Sequence, residues 1–434
     1  MSVETGFWGI GVLILLLLLR VPVALSLIAV SFGGVATLLG VTPALGIMSN
    51  TPYSFSASWT MSAVPMFLLM GFVAYHAQLT AGLFDAAKAL LRKIPGALAI
   101  SSVFACSAFA AVCGSSLATA ASMGRIAIPE MLRAGYKPSM AAGCIAAGGT
   151  IGALIPPSIL MIVYGVFAET SITQVFLGGI SIGLLTACAY SAVILGYAWL
   201  RPDIVPRRPV EDEALSARAA LARVWPVLLL IGVVFGGLFS GLFTATEAGA
   251  VGTVGAILIA GLYRRLSLKL LKDALSRTAS MSGNILFIVF TSMIFAYATA
   301  LSGIGEDLVG MLEDANVSRL TFLLIIMVVF AILGCFMEGL GMIAIIVPVI
   351  FPALMALDVN PIWFGVFVVI LVELGQLTPP LGVILFVVAS SSNEVKVEDV
   401  IMGTLPFFLI IVAFMLLLIG VPDIALFLPE FTFG

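Results

Sequence analysis

The sequence predicts an all-α, polytopic membrane protein made of two halves, each holding a re-entrant hairpin and a discontinuous helix. Three observations carry that expectation. The chain of 434 residues is 62% hydrophobic and 9% charged, whereas soluble domains are about 25% charged. Apolar stretches able to cross about 30 Å of hydrocarbon recur along its whole length. Two of them are broken by adjacent prolines, at 154–158 (LIPPS) and 377–382 (LTPPLG), and two others, 96–132 and 319–356, are interrupted near their centres.

Crossings are expected over residues 6–19, 22–40, 61–79, 139–165, 174–200, 225–242, 246–262, 281–301, 362–390 and 402–421. The first residues, MSVETGF, contain Glu4 and no Lys or Arg, unlike the basic start of a removable signal peptide. With Arg20 in the cytoplasm, successive crossings put Lys88, Arg92 and Lys93 on the same side. A hairpin over 96–132 returns the chain there at Arg133 and Lys137. The five arginines of 201–223 and the basic segment 263–278 follow, again inside, and Lys396 returns to that side. Of the 19 basic residues, only Arg125 and Arg319 escape this placement, which the positive-inside rule favours. Both termini then face outward. Reading either hairpin as a simple crossing would put basic loops on the outer face.

Two amphipathic, charge-bearing segments, 80–94 inside and 304–317 outside, are expected along the membrane surface; ordinary loop helices are the alternative. Cys106, Cys113, Cys144, Cys188 and Cys335 stand singly in apolar segments and read as small buried hydrophobes. His76, the single histidine, falls near the cytoplasmic end of its helix, where an interfacial role fits better than a proton relay.

The two halves echo each other. A hairpin tip reading CGSSLAT (113–119) precedes the first double-proline break, and one reading MEGLG (337–341) precedes the second. Gly114 lies 42 positions before Pro156, and Gly339 lies 40 before Pro379. One hairpin opens from the cytoplasm and the other from outside, so the repeat is inverted, as in secondary transporters that bind their cargo where the repeats meet. A Pro-Pro pair removes two amide donors and stops a helix. Lipid cannot satisfy the freed carbonyls, so such backbone is tolerated at this depth only in a protein-lined cavity. A bound cation can satisfy the C-terminal end of a half-helix, and an N-terminal end suits an anion.

Long segments resemble the large membrane subunit of tripartite ATP-independent periplasmic (TRAP) transporters. They are GSSLATAASMGRIAIPEMLRAGY (114–136), AAGGTIGALIPPSILMIVYG (146–165), FTATEAG (243–249) and LVELGQLTPPLGVILFV (371–387). The resemblance implies a sodium-driven importer of the elevator type; in a bacterial inner membrane, the expected location, the outward-facing termini would be periplasmic. A small four-helix membrane subunit and a soluble periplasmic receptor that delivers an organic anion would be its partners. Residues 1–79 would be scaffold, 80–95 a cytoplasmic arm, 96–165 half of the transport domain, and 166–301 scaffold and connecting helices. Residues 302–318 would be an outer arm, 319–390 the second transport half, and 391–434 a final helix and tail. Two departures stand out: Glu338 where relatives often carry Asp, and a glycine-rich GLG in place of small polar residues.

Sodium, a hard cation, wants oxygen ligands. Ser115 and Ser116 at the first tip, with Gly149 and Thr150 before the first break, can supply them; Glu338, Gly339, Gly375 and Thr378 are the matching set. Family resemblance and repeat symmetry favour one sodium per half. Each hydroxyl could instead bond back to its own helix. Arg125 and Glu373 are the ionisable residues most clearly inside membrane segments, a position that marks function by default. Arg125, with Ser116 and Thr378, is a candidate substrate contact; it could equally snorkel to the surface or lock the hairpin arms. Glu373 could orient the second break, bind a cation or pair with another helix. Glu247 is expected near a helix start, outside the membrane core.

No GxxxxGK[ST] motif is present, so direct drive by ATP is not expected, and no organic cofactor is implied. A stand-alone sodium/anion symporter of related fold is the nearest rival. A channel is a more distant one. An intramembrane enzyme would need a Ser–Lys, Ser–His or paired-aspartate arrangement at membrane depth, which the sequence does not offer.

Overall fold

The computed structural model describes residues 2–56, 58–206, 217–379 and 381–433. Arg207, Arg208 and Pro380, which the sequence reading used, lie outside them. Among the described residues there are twenty α-helices, one short 3-10 turn and no strand. Seven helices are long and apolar enough to cross a membrane, and eight if one bent pair counts as a single span. The chain is a multi-pass membrane protein.

Three elements differ from the expected crossings. Val41–Ser56 forms a helix between the second and third of them; its Ser, Thr and Asn residues keep it below the apolarity of a crossing. Asp423–Phe433 adds a C-terminal helix. The expected crossing 281–301 is the last part of one 35-residue helix, Leu268–Ser302, started by Ser267, whose hydroxyl accepts from the Leu270 amide. Its first turns are amphipathic, with Leu270, Ala274 and Thr278 buried while Lys269, Lys272 and Arg277 are exposed. The basic segment is therefore helical and continuous with the span. Cys188 is also exposed rather than buried, on an apolar helix whose outer face needs no polar partner.

The first hairpin pairs Ala97–Cys113 with Ser116–Arg133. Gly114 turns the chain between them at φ +66°, a conformation that costs a residue with a Cβ. Ser115 then caps the second arm, its hydroxyl accepting from the Ala118 amide at 3.4 Å. The first broken helix runs Pro138–Leu154, stops at Ile155–Pro157, and resumes as Ile159–Phe167 at an angle of 41°. Ser158 caps the second piece by accepting from the Met161 amide. In the second half the arms are Arg319–Leu333 and Gly339–Ala356, and the broken helix is Pro361–Leu377 followed by Val383–Ser391.

The halves interlock around a shared centre. Pro138–Leu154 packs against Pro361–Leu377, so the first pieces of the two broken helices meet. Each second piece crosses to the other repeat: Ile159–Phe167 lies on Gly339–Ala356, and Val383–Ser391 on Ser116–Arg133. The hairpins themselves differ. The arms of the first pack together and on Pro138–Leu154. Those of the second part from each other: Arg319–Leu333 packs on Pro361–Leu377, while Gly339–Ala356 also leans on Leu268–Ser302 and Ile304–Asp314. Around this centre, Ala63–His76 packs on Ala245–Leu262, tied by Thr253, whose hydroxyl donates to the Met66 carbonyl at 2.8 Å. Glu247 sits in the first turn of that helix and, with Thr244, completes a capping box.

Candidate functional site

One cavity touches both hairpins and both broken helices. Gly114, Ser115, Ser116 and Leu117 of the first tip line it, as do Glu338, Gly339 and Leu340 of the second. Ala153, Ile159 and Leu160 come from the first broken helix, Glu373 and Gln376 from the second, and Met281 from the long helix.

Three helices begin at this cavity: Ser116–Arg133, Ile159–Phe167 and Gly339–Ala356. Their first amides have no intrahelical acceptors and carry the positive ends of the helix dipoles. Two helices end at it, Pro138–Leu154 and Pro361–Leu377, offering carbonyls and the negative ends. The site therefore has a pole for an anion and a pole for a cation within one small space. Among the described residues its lining includes two carboxyl groups and no Lys, Arg or His.

The two repeats are joined directly here. The Ser116 hydroxyl donates to Glu373 Oε1 at 2.6 Å, across 257 positions of sequence. Close approach of the tips to the breaks depends on small residues. A Cβ on Gly114 would overlap the Pro157 carbonyl oxygen, and one on Gly334 would run into the backbone of Gly375.

Residues 10–424 match the family described as the DctM component of the tripartite ATP-independent periplasmic transporter. The chain belongs to this family. It is 35% identical over 404 residues to the C4-dicarboxylate TRAP transporter large permease protein DctM of Pseudomonas aeruginosa, covering 90% of this chain and 93% of that one. It is 32% identical over 424 residues to the ectoine/5-hydroxyectoine TRAP transporter large permease protein UehC of Ruegeria pomeroyi, covering 97% and 98%. In fold it resembles the Alcanivorax borkumensis YdaH transporter, with a TM-score of 0.63, 16% identity, and coverage of 88% of this chain and 90% of that one.

In this TRAP large permease the residues singled out from sequence fall into two groups. Ser115, Ser116, Glu338 and Gly339 line the shared cavity. Gly149, Thr150, Gly375 and Thr378 are not part of its lining. Gly149 is buried against Ala120, and a Cβ there would come within 3.3 Å of the Ser116 carbonyl oxygen. The Thr150 hydroxyl donates to the Ala147 carbonyl at 2.6 Å and lies 3.4 Å from the Tyr190 hydroxyl. Gly375 is the close neighbour of Gly334, and the Thr378 hydroxyl donates to the Leu374 carbonyl at 2.7 Å. Both threonines thus make the local bonds that Thr favours inside helices. Arg125 is exposed and outside the cavity lining.

Gln376 went unnoticed in the sequence. Its signal was available: a lone amide in an apolar helix, three residues after Glu373 and hence on the same face.

Proposed function

We propose that this chain imports an organic anion by sodium-coupled symport, with elevator-type alternating access. The observation that carries the proposal is the convergence of three helix N-termini and two helix C-termini on one cavity between the repeats. Such a cavity suits an anion and cations moving together. The cargo class is a carboxylate; the relatives named for C4-dicarboxylate and for ectoine support that class while differing in the compound.

One sodium ion sits behind each tip. The first takes oxygens from Ser115, from the Ser116 carbonyl and from the backbone around Gly149 and Thr150. The second takes them from Glu338, Gly339, Gly375 and Thr378. Ser116 meets the substrate through its hydroxyl oxygen, and Arg125 attracts its carboxylate from the exposed side of the first hairpin. The hairpins are re-entrant and move with the broken helices as one body. The other helices form a scaffold in a bacterial inner membrane, with both termini periplasmic, completed by a small membrane subunit. A periplasmic binding protein delivers the substrate, as the tripartite family description implies.

The test is uptake of labelled succinate and ectoine into proteoliposomes holding this chain and its membrane partner, with the loaded receptor outside. Uptake should need an inward sodium gradient and fall to background when potassium replaces sodium. Equal uptake in potassium would overturn sodium coupling. Full uptake without receptor or small subunit would favour a stand-alone symporter instead.

A further inference from the structure

Glu373 and Gln376 stand in the last turns of Pro361–Leu377 and line the central cavity. They are 1% and 4% exposed. Glu373 Oε1 accepts from Ser116, but Glu373 Oε2 and Gln376 Oε1 have no hydrogen-bond partner. Buried oxygens in that condition are costly, and these lie toward a helix C-terminus, where the dipole already concentrates negative potential. No basic side chain among the described residues lines the space to offset them. Two unpartnered acceptors, one of them a carboxyl oxygen, on one helix face and beside a hydroxyl with free lone pairs, have the chemistry of a hard-cation seat.

We propose that Glu373, Gln376 and Ser116 form a seat for one monovalent positive charge at the junction of the two repeats, separate from the sodium ions behind the tips. The proposal rests on the transport reading above and adds a charged cation pole facing the three helix N-termini. Two sources present that charge: a co-transported sodium ion, or the cationic nitrogen of a zwitterionic substrate whose carboxylate meets the N-termini. The Ser116–Glu373 bond links the halves, so an occupant of the seat touches both repeats at once.

The experiment uses the complex of this chain with its membrane partner in nanodiscs. The melting temperature is titrated with NaCl at constant ionic strength set by KCl, then with ectoine and with succinate. Variants E373Q and Q376L are compared with wild type. If sodium fills the seat, both variants lose about tenfold or more in apparent sodium affinity, and the sodium curve becomes less steep. If a substrate nitrogen fills it, the sodium curves stay unchanged while ectoine affinity falls by a similar factor and succinate affinity does not. Sodium and ectoine curves within about twofold of wild type in the variants would overturn the proposal. Should E373Q fail to fold, Q376L decides by the same readings. Failure of the transport reading is separate: it appears as absent sodium-dependent uptake by the wild type, whereas the binding titration reads the seat without transport.

Discussion

Ser116 and Glu373 join the halves by a buried side-chain hydrogen bond, and that bond decides what a small substitution there should do. Ser116→Ala removes the one donor on Glu373 Oε1 and leaves a buried carboxyl oxygen bare, a loss of about 1–3 kcal/mol. A lower melting temperature and weaker sodium-stimulated uptake should follow; wild-type values for both would show that the bond does not matter. Gly114→Ala should be worse for the tip. The left-handed conformation alone costs a Cβ-bearing residue about 1–2 kcal/mol, and the methyl would also push the tip off the Pro157 carbonyl. Its thermal unfolding, measured beside Ala110→Gly as a control within the same hairpin arm, checks this. Outside the membrane, the Lys137 ammonium 3.1 Å from Asp203, with Arg201 beside it, holds the Asp203 carboxyl below its ordinary value. A lowered carboxyl stabilises above its unfolded pKa and loses that contribution as pH falls through the folded value. The 201–206 turn should therefore keep its contact with Lys137 from neutral pH down to about 4 and loosen only below. Hydrogen exchange at the Lys137 amide, which donates to the Ile204 carbonyl, reports it, and Asp203→Asn should flatten the profile.

At the scale of elements, the helix Leu83–Leu91 is tied to the second helix of the first hairpin. Lys88 Nζ donates to Glu130 Oε2 at 2.7 Å and lies 3.6 Å from Asp85, with its side chain 22% exposed. A half-exposed pair of this kind contributes little to folding, about 0.2–1 kcal/mol, so its larger effect should be on how the hairpin and the helix Leu83–Leu91 stay together. Lys88→Glu should leave the melting temperature nearly unchanged yet slow uptake, and the double swap with Glu130→Lys should restore it. An unrestored double variant would argue for a purely local role. The apolar stretches placed most helices where they are found, because each helix buries one face. They did not place Val41–Ser56 or the first turns of Leu268–Ser302. There the helix is stabilised by tertiary packing of a few residues, such as Leu270 and Ala274, and not by the long apolar stretch on which the sequence reading depends.

At the scale of the whole molecule, a single cavity is shared by two tips that lie more than two hundred residues apart in sequence. In a cysteine-free background, Ser115→Cys and Glu338→Cys should both react with a small water-soluble thiol reagent, and sodium with substrate should protect both in parallel. Protection of one alone would mean that the tips do not share an occupied space. The sequence by itself determined the membrane class, the two double-proline breaks and the matched tips that precede them. Those features follow from local rules: hydrocarbon excludes charge, and proline withholds an amide wherever it stands. Only the tertiary structure decided that the second pieces of the broken helices cross to the opposite repeat, that Ser116 donates to Glu373, and that Gln376 belongs to the site while Thr150 and Thr378 bond back to their own helices. Those are questions of which surfaces come within 3 or 4 Å of each other, and spacing along one chain cannot rank partners hundreds of residues away.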